Sequence, residues 1–306
     1  MKTRAFAVLG ALALSVLSSA CSRNPIEAVN LSNEGDKARG ANIDEAISKY
    51  EQATQLDPSN HRILWKLATA YQKKEAWDKV ASTLARAEKV APTFANYYFL
   101  HGHAIVKQAD APKPTAKWDE AKDPLSQAIK LDPNIADAYF DMAEVLLHLD
   151  DEAGAMQNYT KAIEAKPDEL TFYGPLAELY IANKFYDQAE QVLKEGLGFK
   201  KEGDKTAYII YSLMGQVKME KGDSSGSVTD FENAKKACGQ CNEKGQQIAF
   251  FNLGVAYSHA NPPRKNEAIQ QLQAFSKTVC RGGAAKRYED ECSQASEIVK
   301  QLGGTL

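Results

Sequence analysis

Four cysteines near the C-terminal end could support redox or metal chemistry: Cys238, Cys241, Cys280 and Cys292. Cys238 and Cys241 have the spacing of a thiol redox pair, but the surrounding sequence lacks the strand–helix–strand pattern of thioredoxin-like folds. Haem attachment requires a histidine directly after such a pair, and this chain has Asn242 there. A zinc site built from all four cysteines is a further alternative, which export to an oxidising compartment disfavours.

An even number of cysteines in an exported chain predicts two disulfide bonds. Four cysteines allow three pairings. We favour Cys238 with Cys241 and Cys280 with Cys292, while crossed pairing between the ends of neighbouring helices stays open. Either arrangement would fasten the C-terminal end of the fold.

Other residue types that act in catalysis form no recognisable motif. The sequence has no nucleophile elbow, phosphate-binding loop or HExxH zinc motif. His101 and His103 are two residues apart, so on a helix they cannot face the same ligand. We therefore assign no catalytic residue, metal or cofactor, and expect a protein that is not an enzyme.

The composition is that of an ordinary globular protein, with 306 residues of which 44% are hydrophobic and 25% charged. The net charge of −3 gives no support to nucleic-acid binding, which needs a strongly basic surface. After the first residues, no apolar run reaches the roughly 20 residues that a membrane-spanning helix requires. We expect neither a nucleic-acid partner nor a small-molecule substrate.

The first 20 residues have the features of an export signal. Lys2 and Arg4 precede an apolar run over residues 5–17, which has the length of a signal-peptide core and is too short to span a bilayer. The small residues that follow are typical of a cleavage site. A plain cut after Ala20 is one interpretation of this segment.

The segment from Leu17 to Cys21, LSSAC, also resembles a bacterial lipobox, in which the cysteine is acylated and becomes the new N-terminus. It departs from the usual pattern because Ser18 stands three places before the cysteine, where leucine is common. The resemblance implies a lipid on Cys21 and a short tether over residues 21–26. Ser22 then implies sorting to the outer membrane, with the folded part in the periplasm.

The body of the chain has an internal repeat. Pro58 and Pro92 are 34 residues apart, as are Pro133 and Pro167, and each proline follows an amphipathic stretch that it would end. Small residues recur where two helices would touch: Ala68, Gly102, Ala143, Ala177, Gly215, Gly254, and in the second helices Ala46, Ala121, Ala155, Ala189 and Ala268. With these residues the chain resembles the tetratricopeptide-repeat (TPR) family, which implies an all-α, right-handed solenoid of helical hairpins.

We count seven hairpins in one domain over residues 27–281, followed by a capping helix and tail over residues 282–306. The hairpins cover residues 27–60, 61–94, 95–135, 136–169, 170–204, 207–242 and 247–281. The third hairpin has an insertion around residues 109–114, which is either a contact edge or a tolerated surface loop.

In TPR proteins, the first helices of successive hairpins line a concave groove. The groove register contains Arg62, Trp65, Thr69, Gln72, Asn96, Phe99, His103, Asp137, Phe140 and Glu144. The same register continues through Glu178, Ser212, Gln216, Ile248, Phe251 and Val255. Trp65, Phe99 and Phe140 occupy equivalent positions, one residue after the expected core positions Leu64, Tyr98 and Tyr139. We predict an apolar groove for an extended peptide or a partner helix.

These features favour a non-catalytic scaffold that binds other envelope proteins. The chain is similar to TPR lipoproteins that act in pilus and secretin assembly, in barrel assembly and in gliding motility. Its layout, seven hairpins with a cysteine-linked end, looks most like the adventurous gliding-motility type. A peptidoglycan- or glycan-associated module is the alternative, because groove aromatics could also stack on sugars. A periplasmic thiol oxidoreductase acting through Cys238 and Cys241 is less favoured.

Overall fold

The computed structural model describes residues 23–243, 245–281 and 285–306. Within these ranges the chain forms fifteen α-helices and no β-strand, which confirms the all-α prediction. Among the helices of these ranges, none has the length and apolar character needed to cross a membrane. The predicted signal peptide and the lipid attachment site Cys21 lie outside the described residues.

The chain divides into two compact units, Met1–Ala155 (unit 1) and Met156–Leu306 (unit 2). Each unit has its own helices and its own buried core. The α-helices of unit 1 are α1 (Arg23–Ala38), α2 (Ile43–Leu56), α3 (His61–Lys73), α4 (Trp77–Val90), α5 (Ala95–Ala109), α6 (Lys122–Leu131) and α7 (Ala136–His148). Helix α8 (Glu152–Ala165) contains the boundary between the units.

Unit 2 continues with helices that again pair in chain order. They are α9 (Tyr173–Ala182), α10 (Tyr186–Gly198), α11 (Ala207–Glu220), α12 (Ser224–Cys238), α13 (Ile248–His259), α14 (Lys265–Val279) and α15 (Glu289–Gln301). Short 3-10 turns precede three α-helices, at Trp118–Ala121 in unit 1 and at Leu170–Phe172 and Ala285–Tyr288 in unit 2. The hairpin bounds and the single domain predicted from the sequence stay predictions.

Polar side chains cap several helices where the sequence turns. The Asn42 side chain accepts a hydrogen bond from the Glu45 amide at the start of α2, and Asp223 accepts one from the Gly226 amide at the start of α12. Such caps satisfy amide groups that have no partner within the helix. They help to define where α2, α3 and α12 begin.

The turn after the first helix of a pair has a recurring backbone shape. Glu75, Asp150 and Lys184 have φ angles of 55°, 61° and 61°, and Gly222 has a φ of 80°. Each is the second residue after its helix, namely α3, α7, α9 and α11. Left-handed backbone costs non-glycine residues roughly 1–2 kcal/mol. The fold therefore imposes this conformation on three residues that disfavour it.

Small residues allow paired helices to approach closely, as the repeat pattern predicts. A Cβ atom added to Gly102 on α5 would lie 2.6 Å from the Cγ atom of Leu125 on α6. In the first pair of helices, a Cβ atom on Gly35 would lie 2.6 Å from the Tyr50 ring. Gly35 thus supplies the small position that the sequence pattern did not reveal in α1.

The cores of the units consist of large side chains with almost no exposure. In unit 1 these include Tyr50, Leu64, Leu84 and Leu125, and in unit 2 Tyr173, Leu193, Ile210, Leu272 and Phe275. Burying each such side chain contributes roughly 1.5–3 kcal/mol to folding. These cores fix the rotation of the helices and hence the residues that remain at the surface.

Candidate functional site

The ten predicted groove residues lie on α3, α5 and α7, the first helices of three successive hairpins in unit 1. Helix α3 carries Arg62, Trp65, Thr69 and Gln72; helix α5 carries Asn96, Phe99 and His103; helix α7 carries Asp137, Phe140 and Glu144. All ten are exposed or half-buried, and none belongs to the buried core. We call this surface the unit 1 groove. Its role in binding stays a prediction.

Aromatic rings from two helices meet at one end of the unit 1 groove. The Trp65 ring lies 5.3 Å from the Tyr97 ring, and the Phe94 ring stacks on Tyr97 at 5.1 Å with an interplanar angle of 12°. The His61 Nδ1 atom lies 2.8 Å from the Tyr97 hydroxyl. Burial raises the pKa of that hydroxyl, an effect that Arg62 opposes. Phe94 itself is 47% exposed, so the cluster offers an apolar surface.

One of the three core positions predicted beside the groove aromatics is wrong, namely Tyr98 on α5. Leu64 and Tyr139 are buried as expected, but Tyr98 is only partly buried. Tyr97 is buried in its place, at 5% exposure. The equivalent residues Ile63 and Ala138 are also buried, so α5 keeps the register of α3 and α7. The Tyr97 ring contacts Trp65, which the sequence interpretation missed.

A histidine and a carboxylate meet further along the unit 1 groove. The Nδ1 atom of His103 lies 2.7 Å from the Oδ2 atom of Asp141, which is buried. The centroid of the His103 ring lies 5.8 Å from that of Phe99 and 5.6 Å from that of Trp77, with an interplanar angle of 77° to Trp77. Asp141 was not predicted as a groove residue. Its only signal in the sequence is its position four residues after Asp137, one helical turn away.

His101 contacts a different helix from His103. Its Nδ1 atom lies 2.8 Å from a carboxylate oxygen of Glu88 on α4. The two histidine side chains therefore contact different helices. Among the described residues, no group of three or more histidine, cysteine, aspartate or glutamate side chains is arranged to hold a metal ion.

Arg39 borders the unit 1 groove at its N-terminal end, although it lies outside the predicted register. Its Nη2 atom donates a hydrogen bond to the Thr69 hydroxyl over 3.2 Å. Its Nε atom is buried and has no hydrogen-bond partner among the described residues. With the exposed Arg62, it gives this end a basic character. The exposed Asp137 lies on α7, the last of the three groove helices.

In unit 2, part of the predicted register lines a cavity of about 270 Å³. Glu178, Ser212, Gln216 and Ile248 contribute to its wall, together with Tyr208, Ile209, Leu213 and Asn252. The Ser212 hydroxyl is buried and has no partner among the described residues. Phe251 and Val255 were predicted to face the groove, but they are buried because they pack in the core with α14 and α15.

The four C-terminal cysteines form two close pairs within unit 2. Cys238 bonds to Cys241, and Cys280 bonds to Cys292 with an S–S distance of 2.04 Å. This is the pairing that the sequence analysis favoured. The second pair links the end of α14 to α15. Cys238 and Cys241 are buried, at 6% and 1% exposure, which leaves their sulfur atoms poorly placed for exchange with other thiols.

The insertion in the third hairpin lies against the start of α4. The Gln108 side-chain amide donates hydrogen bonds to the carbonyl oxygens of Trp77 and Ala104, and the Thr115 amide donates one to the Gln108 carbonyl. Pro112 and Pro114 are exposed at the tip. The loop is therefore held at its base and presents its prolines to solvent.

Comparison with known proteins identifies the repeat. Family models described as TPR repeat or tetratricopeptide repeat match residues 41–75, 125–157 and 149–204. Tetratricopeptide repeat protein 28 of Homo sapiens is 26% identical over 255 residues, which is 83% of this chain. The match spans only 8% of the human protein's length. The matched residues therefore have the TPR repeat pattern that the sequence analysis indicated.

Solved structures share the fold at low sequence identity. The C-terminal part of a TPR repeat-containing protein from Cytophaga hutchinsonii matches with a TM-score of 0.58 and 14% identity, over 77% of this chain and 86% of that one. PilW, described as a type IV pilus biogenesis factor, matches with a TM-score of 0.55 and 14% identity, over 72% of this chain and 97% of PilW. Pseudomonas aeruginosa PilF matches with a TM-score of 0.51 and 15% identity, over 72% of this chain and 92% of PilF. These likenesses confirm the TPR solenoid fold.

Proposed function

We propose that this chain is a non-catalytic scaffold that binds a segment of a partner protein in the unit 1 groove. The observation that carries the proposal is the aromatic cluster of Trp65, Phe94 and Tyr97, which has a buried base and an exposed edge. Aromatic side chains fixed in this way are the usual anchors of protein interfaces.

The other groove residues favour a polypeptide ligand. Half-buried apolar rings alternate with hydrogen-bonding groups such as Thr69, Gln72 and Asn96. A polypeptide offers both apolar side chains and backbone donors and acceptors, so it can satisfy both kinds of surface. Arg39 and Arg62 suit an acidic residue at one end of the ligand, and Asp137 suits a basic residue at the other.

We also propose that a lipid on Cys21 holds the scaffold at the outer membrane, facing the periplasm. The support is the LSSAC segment together with the disulfides of unit 2, which suit an oxidising compartment. The partners would then be proteins of an envelope machine, such as one for gliding motility or for pilus or secretin assembly. PilW, a type IV pilus biogenesis factor, has the same fold, which is compatible with this class of partner.

The groove is tested by crosslinking in the native cell, followed by affinity purification and mass spectrometry. The wild-type chain is compared with a Trp65→Ala/Phe99→Ala/Phe140→Ala variant. Phe199→Ala, which truncates a 39% exposed ring in unit 2, is the matched control. We expect a partner that the control retains and the triple variant loses, with unchanged helicity by circular dichroism. The same partner set with all three proteins would reject the unit 1 groove as the binding site.

The lipid anchor is tested separately by the intact mass of the chain purified from membranes. Acyl chains on residue 21, absent after Cys21→Ser, are the expected result. A mature chain that starts at Cys21 with a free thiol would instead indicate plain signal-peptide cleavage.

A further inference from the structure

Helix α1 exposes two large apolar side chains on one face. Ile26 is 65% exposed and Val29 is 45% exposed. The opposite side of α1, with Ala28 and Ser32, is buried. Residues three and seven positions apart share a helix face, so Ile26, Val29 and Asn33 form a single stripe that points away from the core of unit 1.

An apolar outer stripe is unusual for the first helix of a repeat protein. End helices have one face without a neighbouring repeat, and a polar outer face keeps such proteins soluble. Helix α15 follows this rule, because its exposed residues are all polar: Glu289, Asp290, Ser293, Gln294, Ser296, Glu297, Lys300 and Gln301. Helix α1 does not follow it. We therefore expect its exposed apolar side chains to contact another molecule, which the polar outer face of α15 does not require.

Two acidic residues of α1 form ion pairs with lysines of α2 and α3, so the charge of Asp36 is matched although it lies seven residues after Val29 on the same face. Glu34 forms an ion pair with Lys49 at 2.6 Å. Asp36 forms an ion pair with Lys66 at 2.5 Å and accepts a hydrogen bond from the Tyr50 hydroxyl. Lys37, by contrast, lies on the outer stripe, eleven residues after Ile26. Lys37 is about 12 Å further along the helix axis than Val29, so the face at Ile26 and Val29 is apolar without an adjacent basic residue. Exposed apolar side chains of this kind suit the boundary between lipid headgroups and acyl chains.

The position of Cys21 in the LSSAC segment supports a lipid bilayer as the molecule that contacts this apolar face. Helix α1 begins at Arg23, only two residues after Cys21. Two residues span at most about 7 Å, so acyl chains on Cys21 would keep the first turn of α1 at the bilayer surface. An interfacial helix buries its apolar face about 5–10 Å into the boundary between headgroups and acyl chains, a depth that Ile26 can reach from there.

We infer that the Ile26–Val29 face of α1 lies in the headgroup region of the membrane to which Cys21 is attached. The contact fixes the orientation of unit 1 on the bilayer, whereas a flexible tether would only hold it near the membrane. This inference rests on the proposed lipid anchor. A second copy of the chain or a partner protein on the same face would be a different occupant, and the experiment below distinguishes them.

The test uses the full chain, expressed with its leader and reconstituted in vesicles of phosphatidylethanolamine and phosphatidylglycerol. The photo-crosslinking residue p-benzoylphenylalanine is placed at position 26 or 29. Position 27 is the matched control, because the exposed Glu27 lies about 100° around the helix from Ile26. Position 199 is a second control, since Phe199 is 39% exposed in unit 2. All four side chains reach solvent, so the substitutions should leave the fold intact.

We expect lipid adducts at positions 26 and 29 to exceed those at 27 and 199 by about fivefold or more, since only one face of an interfacial helix enters the lipid. Equal yields at 26 and 27 would overturn the inference, because a loosely tethered helix has no preferred face. Adducts to a second copy or to another protein would overturn it in favour of a protein occupant. An acylated chain without lipid adducts rejects this contact alone, whereas an unacylated residue 21 rejects the anchor as well.

Discussion

The Nδ1 atom of His103 lies 2.7 Å from the Oδ2 atom of Asp141, so a polar contact joins helices α5 and α7 within the unit 1 groove. The Asp141 side chain is only 8% exposed, whereas that of His103 is 21% exposed. The carboxylate therefore contacts the imidazole from its buried side, and the Phe99 and Trp77 rings also pack against the imidazole. A groove residue that was predicted from register is thus positioned by one that was not.

Replacing Asp141 with leucine should destabilise unit 1. The change removes the partner of a half-buried ring nitrogen, and leaving such a group unsatisfied costs roughly 1–3 kcal/mol. Urea unfolding followed by circular dichroism measures the loss. Asp137→Leu is the matched control, because Asp137 is exposed one turn earlier and surface changes usually stay within about 0.5 kcal/mol. Equal losses in both variants would show that the contact with His103 has no special role.

The sequence predicts the helices well because the residues that specify them act locally. Proline spacing marks helix ends, and small residues such as Gly102 mark close packing against Leu125, as the structure confirms. The core aromatic residue of α5 is harder to predict, since Tyr97, Tyr98 and Phe99 are consecutive and each could face the core. Hydrophobic periodicity cannot choose among adjacent apolar positions.

Two further groove contacts depend on residues that are distant in the sequence. Arg39 reaches Thr69 across 30 residues, and Asp141 reaches His103 across 38. Neither pair has a local pattern that would reveal it. Such contacts follow from how the hairpins stack, which a single sequence does not encode in a readable form.

Lys184→Gly should stabilise unit 2. Lys184 has a φ angle of 61°, which glycine adopts without the clash that a Cβ atom causes. We expect a gain of about 0.5–1 kcal/mol, because the relief of strain exceeds the added entropy of the unfolded chain. Thermal unfolding provides the measurement. The reverse change, Gly222→Ala at the equivalent turn with a φ of 80°, should lower stability; a loss with Lys184→Gly would contradict the strain argument.

Ser212→Ala should leave stability unchanged or raise it by up to about 1 kcal/mol. The Ser212 hydroxyl is buried and has no hydrogen-bond partner in the described part of the chain, so its removal relieves a desolvation cost. Ser227→Ala is the matched control on the next helix. Its hydroxyl is also buried but donates a hydrogen bond to the Ser224 carbonyl over 2.9 Å, so the control should lose stability. Similar losses in both variants would indicate that Ser212 has a partner in solution.

Glu190 should make unit 2 sensitive to acid. Hydrogen bonds from Lys194 and Lys221 lower the pKa of its carboxyl group from 4.5 to about 2, with ion-pair distances of 2.5 and 2.7 Å. Because the pKa is lower in the folded chain than in the unfolded chain, the ionised form stabilises the fold. This contribution is complete above about pH 5 and is lost as the pH falls from 4.5 towards 2.

Glu190→Gln should therefore lower the free energy of unfolding at pH 7 by about 1–2 kcal/mol, a value discounted for the solvent exposure of the two lysines. The gap between variant and wild type should close as the pH approaches 2, where the wild-type carboxyl group also becomes neutral. Urea unfolding at a series of pH values measures this gap. Glu195→Gln, which makes the same charge change at an exposed site on α10, should show a smaller difference at pH 7. A gap for Glu190→Gln that stays constant from pH 7 to pH 2 would mean that the ion pairs contribute nothing and that the amide disturbs packing instead.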